Sequence, residues 1–264
     1  MIPDDSIISI PPDLAATLRK AKKIVVLTGS GISAESGVPT FRDAQAGLWA
    51  QYRPEELATP QAFLRNPALV WEWYEWRRDL VVKAKPNLGH DYLVIMEKQA
   101  PEFVLITQNV DGLHQQAGSQ NVIELHGNIH RNKCSREGTI MEISPPAGEI
   151  PPRCKNCGAY LRPDVVWFNE SLPPYAIQFA WEAAQNCDIF FSIGTSSLVQ
   201  PAASLPMIAH ERGAAVVEIN IAETPLSTYA TFALTGSAGQ ILQNLVKRTW
   251  QDPLQPVFDP DYNF

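Results

Sequence analysis

Cysteine is scarce in this 264-residue chain: Cys134, Cys154, Cys157 and Cys187 are the full complement. They are too few and too clustered for a disulfide scaffold, and in a reducing compartment clustered cysteines more often bind metal. Long apolar runs are missing too. None approaches the ~20 residues that a membrane-spanning helix needs, so no membrane partner is expected. Basic charge is also in deficit. The formal net charge is −7, and phosphate binding needs a basic face, so nucleic acid is not expected as a partner. Basic segments of other proteins stay open as substrates. The start, MIPDDSIISIPPDLAATLRKAKK, lacks the basic n-region of a secretory signal and carries Asp4 and Asp5, unlike a transit peptide. A cytoplasmic monomer is expected.

What is present is the composition of an ordinary globular protein, 45% apolar and 19% charged. The length suits one α/β domain with a small inserted module. The continuous apolar run Ile24–Thr28 reads as a buried parallel strand, and Phe103–Thr107, Val122–Leu125, Asp188–Gly194 and Ala215–Asn220 read as further strands. Helices are expected at Asp13–Lys22, Pro67–Ala84, about Gly89–Ala100 and about Gly112–Ala117, and around the last two strands. Asn66 and Pro67 form an N-cap followed by proline at the first helical position. Thr40–Thr59 reads as a loop with a helical turn or two. Residues Ile129–Arg162, rich in Pro, Cys and Gly, interrupt the alternation. The expected fold is therefore a Rossmann-like, doubly wound parallel sheet, residues 13–128 and 163–250. It carries a small metal-binding lobe at 129–162, joined by part of a helical segment from 40–88.

After the first strand, Gly29, Gly31 and Ala34 fit the dinucleotide fingerprint G-x-G-x-x-G/A. Gly29 permits the tight turn, Gly31 the approach of backbone N–H groups to a pyrophosphate, and Ala34 close helix–strand packing. The six residues alone equally suit a plain strand-to-helix turn. The acid that usually binds ribose in oxidoreductases is missing, because the second strand runs into Gln108.

The company of this loop is more specific. GSGISAESGVPTFR (Gly29–Arg42), TQNVDGLH (Thr107–His114), ELHGN (Glu124–Asn128), GTS (Gly194–Ser196) and EIN (Glu218–Asn220) follow in order. Over about Ala21–Leu245 the chain resembles the sirtuin family of NAD-dependent protein-lysine deacylases, with Ser30 where alanine is usual. The resemblance implies NAD as a consumed co-substrate and acylated protein lysines as partners. By it, Gly29, Ser30, Gly31, Ser33 and Glu35 line the cofactor loop, with Thr40, Phe41 and Arg42 nearby. Gln108, Asn109 and Asp111 form the ribose and nicotinamide pocket. Gly194, Thr195 and Ser196 hold pyrophosphate and ribose, Asn220 the adenosine ribose, and Ala238 lies against adenine. Breaking the nicotinamide bond builds positive charge on the ribose, which the acyl oxygen can trap. A base must then activate a ribose hydroxyl, and histidine titrates in the right range. His126 is expected to be that base, with Asn109 as its catalytic companion. Outside ELHGN, a lone histidine at a strand end is more often structural. His114 is expected to be structural.

Cys154-x-x-Cys157 has zinc-knuckle spacing, and Cys134 lies where a further ligand belongs. The family's structural zinc sits on four cysteines; here the fourth position is Glu137. Three thiolates with a carboxylate, or a lobe without metal, are both open. On the helix from Pro67, Tyr74 and Arg77 share a face, which fits a core tyrosine beside a surface arginine or a grip on a carboxylate. Class III sirtuins carry Y-x-x-R here for succinyl, malonyl and glutaryl groups, with alanine at the position of Ala58. Desuccinylation and demalonylation are therefore expected ahead of deacetylation. VVWFNE (Val165–Glu170), containing Val166 and Phe168, resembles the strand that pairs with substrate backbone; the family usually has glycine at Asn169. A conventional NAD oxidoreductase, a mono-ADP-ribosyltransferase and a non-enzymatic binding module are the rival readings.

Overall fold

The computed structural model describes residues 9–39, 51–141 and 149–250. Among them, β1 (Lys23–Thr28), β2 (Glu102–Thr107), β3 (Val122–Glu124), β7 (Ile189–Ile193), β8 (Ala215–Asn220) and β9 (Phe232–Thr235) form one parallel sheet. Its order is β3-β2-β1-β7-β8-β9. The central strands are continuous apolar runs because both faces are covered. Ile24 and Val26 face a core completed by α1 (Pro12–Lys20), α6 (Leu88–Gln99) and α10 (Ala238–Trp250). Val25 and Leu27 face the other, completed by α8 (Pro174–Asn186) and α9 (Leu205–Glu211). Burying each such side chain contributes about 1.5–3 kcal/mol. No helix among the described residues is long and apolar enough to cross a membrane.

A second, antiparallel sheet has the order β5-β4-β6, from β4 (Gly127–Cys134), β5 (Ile140–Met141) and β6 (Leu161–Val165). It packs with a helical segment, α3 (Pro54–Leu57), α4 (Pro60–Arg65) and α5 (Pro67–Lys83), around Phe63, Trp73, Tyr74, Ile129, Val165 and Trp167. Thr59 and Asn66 start α4 and α5, their side chains accepting from the N–H groups of Ala62 and Leu69. The segment expected to interrupt the pattern from Ile129 on thus contains regular strands, and β4 already begins at Gly127. Gly127 has φ +80°, and a Cβ there would lie 2.1 Å from the Asp164 carbonyl oxygen, so only glycine permits this strand pairing.

The order reverses between β1 and β7, and at their carboxyl ends two loops touch through backbone alone. A Cβ on Gly31 would stand 2.6 Å from the Gly194 Cα, and one on Gly29 2.7 Å from the Gly194 oxygen. Gly194 itself has φ +61°. The Gly31 N–H donates to the Gly194 carbonyl at 2.8 Å. Gly31 therefore joins the two loops, and its own N–H is not available to a pyrophosphate. Ala34 is exposed; Ile32 and Ser33 are the buried residues of α2 (Ser30–Ala34), so the expected close packing falls to them.

A contrast tests this contact. Gly37 has φ +76° and open space around its Cβ direction, so Gly37→Ala should cost only the left-handed backbone term, about 1–2 kcal/mol. Gly31→Ala must separate backbone from backbone and should cost about 3 kcal/mol or more. Equal losses in urea unfolding would remove the loop contact as the reason for Gly31.

Candidate functional site

The site lies at the carboxyl ends of β1, β2 and β7, the switch point where doubly wound sheets bind ligands. Beyond β2, Gln108 extends the ladder, its N–H donating to the Thr28 carbonyl at 3.0 Å. Asn109 is held at both ends. Its backbone N–H donates to Thr107 Oγ1 (3.0 Å), while its side-chain amide donates to the Gly29 carbonyl and Ser33 Oγ, each at 3.0 Å. Both amide hydrogens are used, so Oδ1 is left as an acceptor. Asp111 is buried and accepts from the Leu113 N–H at 2.9 Å. Burial pushes its pKa up, and that hydrogen bond and one from Ser33 pull it back.

His126 stands between β3 and β4. Its Nδ1 is 2.9 Å from the Gln108 carbonyl oxygen, and a carbonyl can only accept, so the proton sits on Nδ1 and the Nε2 lone pair is basic. Burial lowers the imidazole pKa below 6.5, and the Gln108 bond partly offsets this. The backbone oxygen of His126 accepts from Val166 at 2.9 Å. His114 is a different histidine: fully buried, with Nε2 2.9 Å from Thr28 Oγ1, which in turn donates to Thr107 Oγ1 at 2.9 Å. Burial drives His114 well below its ordinary pKa and His90 beside it to about 4. They are a neutral polar core under the Asn109 loop.

The other expected cofactor residues are placed as follows. Asn220, at the end of β8, donates to the Thr195 carbonyl at 2.8 Å and so ties the EIN and GTS loops together. Thr195 is buried and its Oγ1 accepts from the Ser197 N–H; Ser196 is partly exposed beside it. Glu35 accepts from Gly239 N–H at the start of α10 (3.3 Å), and Ala238 is buried in the core there. Ser30 is exposed. Thr40, Phe41 and Arg42 lie outside the described residues. Ser197, which the motifs did not single out, has a buried hydroxyl with no hydrogen-bond partner among the described residues. Its only signal in the sequence is its place next to GTS.

The acyl-recognition candidates share one cluster. Ala58, Tyr74 and Trp167 are buried together. Arg77 is one turn along from Tyr74, its guanidinium 5.2 Å from the centre of the Trp73 ring. Burial raises the Tyr74 pKa to about 12, with Arg77 pulling it down. Burial also lowers that of Arg77, with Tyr74 opposing. Phe168 is exposed and donates its N–H to the Ala58 carbonyl at 2.9 Å; Val166 is partly exposed. Asn169 has φ +68°. Glycine is natural there, and asparagine is among the few other residues that adopt this conformation readily.

Cys134, Glu137, Cys154 and Cys157 present ligand atoms that all lie within 4.8 Å of one another. Two matching turns bring them together. In one, Gly138 (φ +70°) donates to the Cys134 carbonyl and Cys134 N–H donates to the Thr139 carbonyl. In the other, Gly158 (φ +74°) donates to the Cys154 carbonyl and Cys154 N–H donates to the Ala159 carbonyl. Glu137 thus occupies in the first turn the place that Cys157 has in the second. Three thiols and a carboxylate suit tetrahedral zinc, and the donor set fits a structural ion. About one zinc per chain is expected by elemental analysis. Chelation should lower the melting temperature, because metal affinity is folding free energy. A protein purified without added chelator that holds far less than one zinc would refute the site.

The Sir2 family model matches residues 29–201. An NAD-dependent protein deacylase of Aquifex aeolicus is 57% identical over 208 residues, covering 78% of this chain and 87% of that protein. NAD-dependent protein deacylase 2 of Pyrobaculum aerophilum is 49% identical, covering 89% and 94%. A crystal structure of a Sir2 homologue with NAD superposes with a TM-score of 0.85 at 46% identity, covering 91% of this chain and 94% of that one. A variant Sir2 homologue in complex with 2′-O-acetyl ADP-ribose gives 0.84 at the same identity, covering 91% and 96%. With the family matched over most of the chain and its motif residues gathered at one switch point, this protein belongs to the Sir2 family.

Proposed function

We propose that this chain is an NAD-dependent protein deacylase that removes succinyl and malonyl groups from lysine side chains ahead of acetyl. The deacylase reading rests chiefly on His126, whose Nε2 is left basic by the bond from Nδ1–H to Gln108. The names of the relatives and the NAD-bound homologue support it. At the switch point, the free Asn109 Oδ1 and the buried Ser197 hydroxyl, without a partner among the described residues, suit a polar dinucleotide. Ser30, Gly194–Ser196 and Asn220 would hold it, with Gly29 and Gly31 shaping the loop through their backbone contact with Gly194. NAD would supply a ribose carbon that accepts the acyl oxygen as nicotinamide leaves. His126 Nε2 takes the proton of a ribose hydroxyl. Asn109 accepts from the ribose, and Asp111 orients the nicotinamide amide. One water is consumed as the carbon–nitrogen bond to lysine breaks, and the products are nicotinamide, the freed lysine and an O-acyl-ADP-ribose. The absence of a ribose-binding acid after β2 speaks against hydride transfer. The free cysteines that form the candidate zinc site suit a cytoplasmic setting.

The acidic-acyl reading is supported by Tyr74 and Arg77, neighbours on α5 beside the small Ala58. A phenol and a guanidinium can share one carboxylate, which an acetyl methyl does not offer.

Two measurements test these roles. A depressed pKa keeps His126 neutral, and therefore basic, at pH values where ordinary histidine is protonated. The acid limb of kcat/KM, which reports the free enzyme, should therefore have its midpoint below pH 6.5. His126→Ala should fold and lose most turnover; near-normal turnover, or an acid midpoint above 6.5, counts against the base. Arg77→Met should reduce kcat/KM on a succinyl-lysine peptide by about 30-fold or more, the scale of ~2 kcal/mol for a broken charged contact. Its acetyl-lysine counterpart should change little. Equal losses on both peptides would remove the acidic-acyl assignment.

A further inference from the structure

Trp167 belongs to none of the site residues assigned above, yet its indole reaches the acyl cluster. Nε1 lies 3.0 Å from the Tyr74 hydroxyl, and the two residues are 93 positions apart in the chain. Indole N–H is a donor and nothing else. The phenol oxygen must therefore accept, and the phenol's own hydrogen is left for another partner. Among the described residues no acceptor takes it. Burial keeps this phenol protonated well past neutral pH.

The indole is itself clamped. The Arg162 guanidinium lies 3.2 Å over its ring centre. That guanidinium is held by Glu170 through two nitrogens and by the Val165 carbonyl. The Trp167 backbone N–H donates to Glu170 as well, at 2.9 Å. Phe63 packs against the indole with ring centres 5.3 Å apart. Ring and backbone are thus pinned from several sides, and the N–H direction is set before any substrate arrives.

We propose that Trp167 is a positioning residue for acyl selectivity: by occupying the Tyr74 oxygen, it turns the Tyr74 hydroxyl into a dedicated donor for the substrate's acyl carboxylate. The inference rests on the reading of Tyr74 and Arg77 as the carboxylate grip. A carboxylate is an acceptor only and matches that hydrogen; an acetyl methyl has no use for it. Without the indole N–H, the phenol could rotate and spend its hydrogen elsewhere, and Arg77 would act alone.

The test is a double-mutant cycle on matched succinyl- and acetyl-lysine peptides at saturating NAD, using Trp167→Phe, Tyr74→Phe and the pair. Trp167→Phe should raise KM for the succinyl peptide about tenfold, the scale of one charge-assisted hydrogen bond. Its kcat, and both constants for the acetyl peptide, should stay within about twofold by the same reckoning. On the Tyr74→Phe background the second substitution should add almost nothing, since the indole acts only through the hydroxyl. Equal losses on both peptides would make Trp167 a packing residue, and full additivity would detach it from Tyr74; either overturns the proposal. An Arg77→Met enzyme that is selectively impaired, beside an indifferent Trp167→Phe, sinks this inference alone. An Arg77→Met enzyme without selectivity sinks the carboxylate grip and this inference with it. If Trp167→Phe does not fold, 3-benzothienylalanine at position 167, which keeps the bicyclic shape and lacks the N–H, carries the same comparison.

Discussion

Everything at the functional end of the sheet depends on backbone meeting backbone where Gly29 and Gly31 touch Gly194. Loops from adjacent strands normally stand apart by the thickness of a side chain. Here that thickness is absent, and the loops leaving β1 and β7 are joined through the Gly31 N–H and the Gly194 carbonyl. The Gly29 carbonyl is thereby positioned to accept from Asn109, so the same contact reaches the β2 loop. Three strand ends become one rigid rim. A rim of this kind is preorganised: its polar groups are held in place by protein partners, and a ligand need not order them.

The candidate zinc lobe and the proposed acyl cluster stand on the other sheet and obey different physics. Around Cys134, Cys154, Trp71 and Leu161 the hydrophobic cluster is small, and a lobe with so little apolar surface needs a further staple. The paired glycine turns bring three thiols and a carboxylate within reach of a single ion. The proposed acyl cluster is held by aromatic packing and by a partly buried ion pair, Arg162 with Glu170. The Val165 carbonyl and the Trp167 N–H add hydrogen bonds to that pair, while Arg162 Nε is buried without a partner among the described residues. Such a pair specifies geometry more than it adds stability.

The sequence was most legible where a residue's surroundings are uniform. β1, β2, β7 and β8 are covered on both faces and mostly apolar, and their boundaries agree with the segments read from the chain to within a residue. Helix α5 was announced by Asn66 and Pro67, and the Asn66 cap is present. Legibility failed where the environment is mixed. β9 is a four-residue edge strand of alternating exposure, with too little pattern to be seen. β4 carries GNIHRNKC, a polar string whose strand character comes from pairing with β6. Ala34 satisfied a motif by its spacing but faces solvent, because the turn of α2 puts Ile32 and Ser33 inward. In the site, the motifs named His126 and Asn109 but not the bonds that orient them. The Trp167–Tyr74 bond joins residues far apart in the chain, and no local pattern encodes it.

The double tether of His126 has a mechanical consequence. Its ring is bound to Gln108, at the end of a strand of the large sheet. Its peptide oxygen is bound to Val166, in the segment leaving the small one. The residue is a rivet through the seam between the two sheets. If the sheets swing relative to each other, the rivet cannot stay whole: either the imidazole loses the acceptor that fixes its tautomer, or Val166 loses its anchor beside Trp167. The strength of the proposed base and the proposed acyl selectivity, which look like separate properties, would then loosen in the same motion.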